Sequence, residues 1–211
     1  MGRLSKSRLR KIFIIGVVLL LICMLICTPV FINGYSMYKD AVKEIPITEK
    51  VDEIKADEHY VSLDEISPYF IQEIIRTEDH RFYRHPGFDI LAILRAAKND
   101  LLAMSFVEGG STITVQLVKN MYFEFDKVLS RKIAEIFGAV ALENVCEKDE
   151  ILELYLNYIN YGEGCFGIKE AAMHYFHTTP MNLTKEQADA LVYTIKCPEE
   201  FNPNAMAEDA A

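Results

Sequence analysis

With 211 residues, the chain is long enough for one domain of ordinary size and little more. Its 31 Asp and Glu against 22 Lys and Arg leave a formal net charge of −9, which argues against nucleic acid as a partner. Five cysteines, two of them inside an apolar run and three far apart, form no disulfide framework and show no zinc-ligand spacing.

In chain order, residues 1–11 hold Arg3, Lys6, Arg8, Arg10 and Lys11 and no acid, and residues 12–32 carry no charge at all. At about 1.5 Å per residue such a run spans a bilayer core. No small-x-small cleavage site follows it, so it reads as a membrane helix and not as a signal peptide. Pro29 is tolerable there. The basic flank belongs inside. The expected layout is a cytoplasmic tail over 1–11, a single transmembrane helix over 12–32 and a charged stalk over 33–57. A domain outside the cell membrane follows over 58–205, with a tail over 206–211.

The domain reads as mainly α-helical. Ser67 and Pro68 suit the N-cap and first position of a helix running to about residue 84. Its apolar stripe of Ile71, Ile74, Ile75 and Phe82 passes beside Glu78. A second helix, apolar around much of its surface, spans 88 to about 104. Gly109 and Gly110 break it, and Ser111 can cap a third helix to about 122. The next runs from 129 to about 144 with Ile133, Ile136, Phe137 and Val140 as its core stripe. Another follows over 148 to about 158, then a glycine-rich loop over 161–167. Two more helices reach about 177 and run from 184 to about 196, and Pro198 and Pro203 end the regular part. His174 and His177 read as surface or packing residues. No strand pattern, repeat or low-complexity tract is present.

Chemistry concentrates in one window. Residues 76–132 hold nine Lys and Arg against seven Asp and Glu, while the rest of the chain after residue 11 is acidic. Glu78 stands at the edge of an apolar stripe, where desolvation favours a carboxyl able to take up a proton. An isolated glutamate in this position is ordinarily just a surface residue. In Glu108-Gly109-Gly110-Ser111-Thr112 the glycines allow close approach to a ligand, and the helix start that follows suits an anion. Thr112, Gln116 and Lys119 then share one helix face. Arg131 and Glu135 stand one turn apart. They form either an intrahelical pair worth about 0.3–0.5 kcal/mol, or an anion-binding arginine whose neighbour orients it or binds a metal.

Together these segments resemble the peptidoglycan glycosyltransferase domain of family 51 glycosyltransferases, over roughly residues 60–205. EDHRFYRHPGFD is similar to the family's first motif, GGSTITVQLVKN to its second, RKIAE to its third, KDEILELYLN to its fourth and YGEGCFGIKEAA to the stretch after it. The resemblance implies a two-lobed helical domain, related in part to lysozyme, beside the membrane. It implies polymerisation of lipid II into glycan strands, with inversion and release of undecaprenyl pyrophosphate. Glu78 matches the general base, Lys119 and Arg131 the phosphate-binding cations, and Glu135 a second catalytic acid, with a divalent cation such as Mg²⁺ at Glu135 assisting the leaving group. Gly110, Ser111, Thr112 and Gln116 fall in the donor site. Asp79, Phe82, His85 and Gly87 fall where they would shape the pocket. No organic cofactor is implied. The implied partners are lipid II, the growing lipid-linked strand, the membrane and other cell-wall synthesis proteins. The sequence departs from the family in two places. Val115 replaces the first of two glutamines, and the further helix with a basic motif that normally follows is absent, so the domain is expected to be cut short. No Lys-Thr-Gly occurs, so the chain reads as monofunctional. A catalytically impaired cell-wall scaffold and a glycan-cleaving hydrolase are the competing readings.

Overall fold

A computed structural model describes residues 6–103, 109–123 and 128–209. Glu108 and the far end of the second helix, two features read from the sequence, lie outside them. Ten α-helices follow one another: α1 (Lys6–Glu44), α2 (Ile47–Lys55), α3 (Pro68–Glu78), α4 (Ile90–Ala103), α5 (Ile113–Tyr122), α6 (Leu129–Glu143), α7 (Lys148–Tyr158), α8 (Ile168–Phe176), α9 (Lys185–Thr194) and α10 (Pro203–Asp209). Among the described residues there is no strand, only an isolated bridge between Asn160 and Phe166. The mainly helical class behind one long apolar helix is the one expected.

α7 is the centre of the domain. Ile151, Leu152, Leu154, Tyr155 and Leu156 are all fully buried, so the helix is apolar almost all round and must be surrounded. Ile66, Phe70 and Ile74 from in and around α3, Ile113, Leu117 and Val118 of α5, Ile168 of α8 and Leu191 of α9 complete the same core. α4 is the opposite case. Ile90, Leu91, Leu94, Leu101 and Leu102 are all more than half exposed, and only Ala96 of this helix is buried.

The stretch expected as a stalk is not one. α1 continues unbroken to Glu44, because Phe31, Tyr35 and Tyr38 recur at helical spacing and have somewhere to pack. Their rings surround Phe137 of α6 at centroid distances of 5.3, 5.0 and 6.0 Å. A Cβ on Gly34 would lie 2.5 Å from Ser130 O and from Ile133 Cβ, so a residue without one is what lets the two helices touch. α2 then buries Ile47, Val51 and Ile54 in the core.

The same contact corrects the reading of α6. Ile133 and Phe137 of the supposed core stripe meet α1, and all four stripe residues are only half-buried. Ala134, Gly138, Ala139 and Leu142 are buried instead. The larger side chains serve the longer first helix, while small ones let α5 approach.

Three helix ends also differ from expectation. α3 stops at Glu78, since Asp79 leaves the helical region (φ −156, ψ 75) and Phe82–Arg84 form a separate short turn. Thr112, not Ser111, caps α5, its side chain accepting from Val115 N at 3.1 Å. Pro203 opens α10 where an end was expected, the first helical turn being where proline fits best.

Candidate active site

Glu78 is the last residue of α3 and is half-buried. Its Oε2 accepts from Gln116 Nε2 at 2.9 Å, and Gln116 Oε1 accepts from the Tyr155 hydroxyl at 3.0 Å. The amide is thereby locked between α3 and α7 with its donor turned to the carboxylate. Burial, then the charges of Glu78, Tyr161 and Asp79, hold the Tyr155 phenol well above its ordinary pKa. Tyr155 therefore stays protonated and remains a donor.

The break after Glu78 is built by Asp79. This carboxylate is buried, and its Oδ2 lies 2.8 Å from His85 Nε2 and 3.2 Å from Ile113 N. It thus ties the first motif to the start of α5, where an unpaired backbone N–H favours an anion. Thr112 fastens the same junction by donating its hydroxyl to the Gly87 carbonyl. Phe82 is fully buried with Lys148 Nζ 4.4 Å from its ring centroid. Asp79, His85, Phe82 and Thr112 are therefore buried and hold the frame of the site. Below them Asp89 pairs with Arg81 Nε at 3.0 Å. Burial pushes the Asp89 pKa up, but the Leu91 and Ala92 N–H groups with the Arg81 and His85 charges outweigh it and hold it below its ordinary value.

A second wall stands on α6. The Glu135 side chain has no exposed area, and its oxygens lie 2.9 Å from Arg131 Nε and 2.9 Å from Lys132 Nζ. Lys132 Nζ also reaches Ser111 Oγ at 3.3 Å. Lys119 of α5 belongs to this group. Burial, then the Lys132 and Arg131 charges, lower its pKa, against the Glu135 charge. Arg131 and Glu135 do form the intrahelical pair, and it is part of a four-residue charge cluster with Lys132 and Lys119. One carboxylate among three cations does not fit a resident Mg²⁺, which needs several oxygen ligands. Among the described residues no group of three His, Cys, Asp or Glu could hold a metal ion.

α5 joins the two walls. Gln116, on Glu78, and Lys119, among the cations, stand three residues apart on one face, about 4.5 Å along the helix axis. Gly110 packs against α4, where an added Cβ would lie 3.1 Å from Ile93 Cα, so the missing side chain allows this close approach. Val115 is buried in the core. Position 115 therefore offers no polar group to a ligand, and Gln116 is the only amide of the expected pair.

Sequence reasoning missed Lys132 and Tyr155. Lys132 was readable from its three-residue spacing to Glu135. The tyrosine carried no signal, being an apolar position of a core helix. It also missed two cavities. One of about 810 Å³ is lined by His59, Gly164, Lys169, Met173, His174 and Met181, and so borders the glycine-rich loop and the start of α8. Another of about 630 Å³ borders Asn120, Phe123, Asn157, Tyr158 and Asn160, and so starts at the residue after Lys119.

The model of the family described as Transglycosylase matches residues 46–211. The chain is 36% identical over 168 residues to the "Biosynthetic peptidoglycan transglycosylase" of Dechloromonas aromatica (strain RCB), across 80% of this chain and 73% of that one. It is 36% identical over 171 residues to the "Monofunctional glycosyltransferase" of Staphylococcus aureus (strain JH9), across 76% and 63%. It is 41% identical over 144 residues to "Penicillin-binding protein 1A" of Aquifex aeolicus (strain VF5), across 68% of this chain but 20% of that one. The chain thus spans about a fifth of the length of that penicillin-binding protein.

Proposed function

Since the chain belongs to the transglycosylase family, the family 51 glycosyltransferases, we propose that it is a membrane-anchored peptidoglycan glycosyltransferase polymerising lipid II. The observation that carries this reading is the pairing, along one face of α5, of a carboxylate wall at Glu78 with a cation wall at Lys119, Arg131 and Lys132. A glycosyl transfer that expels a pyrophosphate needs a base on one side of the reacting carbon and positive charge on the other.

In this mechanism Glu78 takes the proton from the acceptor sugar's 4-hydroxyl as that oxygen attacks the donor's anomeric carbon. The carbon–pyrophosphate bond breaks, undecaprenyl pyrophosphate leaves, and one displacement inverts the configuration. Lys119, Arg131 and Lys132 face the charge that develops on the leaving group. Glu135 lies 2.9 Å from a nitrogen of each of its two cations, and its proposed part is to orient Arg131 and Lys132. Gln116 aims its donor at Glu78 and fixes the direction of the base. No step needs a metal held by the protein.

The lipid-linked substrate accounts for the rest of the architecture. α1 is long and apolar enough to cross a membrane, with a window of mean hydropathy 2.9 that is entirely exposed. Its basic N-terminal flank sets the tail in the cytoplasm and the domain outside. The outward apolar side chains of α4 are proposed to sit in the outer leaflet beside the lipid tail.

Purified full chain in detergent, fed fluorescent lipid II, is expected to yield polymer on a gel. Finished glycan given to the same protein is expected to stay intact. Degradation of that glycan with no polymer from lipid II would establish the hydrolase reading instead, and no product from either would leave a scaffold.

A further inference from the structure

The membrane helix and the cation wall meet at one seam. Asn33 follows the uncharged run of α1, and Lys39 carries the first charge after it. Gly34, Tyr35 and Tyr38 therefore stand where the chain leaves the bilayer, the level at which tyrosines gather. At that level α1 is already packed on α6. An added Cβ on Gly34 would lie 2.5 Å from Ser130 O, and the rings of Phe31, Tyr35 and Tyr38 all face Phe137. Ser130 directly precedes Arg131, whose Nε lies 2.9 Å from Glu135, and Lys132 Nζ reaches the same carboxylate at 2.9 Å. One face of α6 thus grips the anchor along about two helical turns, while the fully buried Glu135 of the same helix gathers the cations. A flexible stalk would let these cations sit at any height over the membrane. This contact does not.

We infer that the seam between α1 and α6 sets the height of the cation wall, holding Arg131 and Lys132 level with the membrane surface, where a pyrophosphate joined to a lipid lies. The inference rests on the proposed function. Gly34 and Phe137 are then positioning residues, acting on the substrate only through α6. The apolar length of α1 becomes a determinant of substrate binding, because it must match the bilayer for the wall to meet the pyrophosphate.

The test lengthens α1 where it touches nothing. Four leucines are inserted after Gly16, where an added Cβ meets nothing within 4 Å, which raises the domain by about 6 Å. The chain holds no tryptophan, so Leu129→Trp, at an exposed position beside Ser130, supplies a single fluorophore at the start of α6. The full chain is placed in dioleoyl-phosphatidylcholine vesicles and in thicker dierucoyl-phosphatidylcholine vesicles, each with fluorescent lipid II. In the thinner bilayer the insertion is expected to weaken quenching of the tryptophan by lipids brominated near the headgroup. It should also raise KM for lipid II by about tenfold, a modest response to a misplacement of several ångströms. In the thicker bilayer both should return to the parent's values, and the parent should show the reverse preference. Gly34→Leu parts α1 from α6 and should raise KM in both bilayers. The insertion decides the matter even if that variant does not fold. An insertion that leaves quenching or KM unchanged, or that raises KM equally in both bilayers, would overturn the inference. Should the parent make no polymer in either bilayer, the proposed function fails, while the quenching still decides whether the height of α6 follows the length of α1.

Discussion

Glu78 and Glu135 are the same side chain put to opposite uses. Glu78 ends a helix, is half-buried, and meets neutral donors, an amide and behind it a phenol. Glu135 lies mid-helix with no exposed area and has a cation 2.9 Å from each of two contacts. Removing its charge by substitution would leave Arg131, Lys132 and Lys119 without their counter-charge, which is costly around a buried carboxylate. What separates the proposed base from the proposed anchor is the company each carboxylate keeps, neutral donors against fixed cations.

The comparison breaks if the two glutamates respond alike to loss of charge. Glu78→Gln should lower kcat for lipid II polymerisation by about 10²–10⁴-fold, the usual contribution of a positioned base, with Tm close to the parent's. Glu135→Gln should act through the fold. Removing one partner of a buried ionic cluster destabilises by about 3–5 kcal/mol, seen as a lower midpoint in denaturant unfolding. A Glu78→Gln protein that keeps its rate, or a Glu135→Gln protein as stable as its parent, would erase the distinction.

Much of this was legible in the sequence, and unevenly so. Five ordered motifs placed Glu78, Lys119, Arg131 and Glu135, and helical spacing gave the order of elements. Periodicity failed where one helix serves two neighbours. The stripe of Ile133 and Phe137 is real but meets α1, while Glu135, off that stripe, is fully buried. Local pattern also failed at Asp79, because its bonds to His85 and Ile113 N join residues up to 34 positions apart, and no helix-end signal encodes that. Tyr155 looked apolar because most of its side chain is.

Gln116→Leu sharpens the comparison at a smaller scale. It removes the donor that directs the Glu78 carboxylate and leaves the buried Tyr155 hydroxyl unpaired. The expected cost is about 1–3 kcal/mol in unfolding free energy, and kcat falls because the base loses its fixed direction. The equivalent loss on the other wall, Ser111→Ala, removes only a 3.3 Å contact from the exposed Lys132 ammonium and should leave Tm unchanged.

The smallest effect tests the cation wall by pH. Burial and the Lys132 and Arg131 charges lower the Lys119 pKa, so its charge is present below that lowered value and lost as pH rises through it. Pyrophosphate affinity should fall over the same interval, giving a rise in KM for lipid II on the alkaline side earlier than an ordinary lysine would. Arginine keeps its proton throughout this range, so Lys119→Arg should push the rise to higher pH with little change near neutrality. The stability linkage has the matching sign. Between the lowered folded pKa and the ordinary unfolded one, the unfolded chain binds more protons, so the parent gains stability with rising pH there. Lys119→Arg should lose that gain. Glu78→Gln should leave both alkaline features in place, because the group that titrates stands on the other wall.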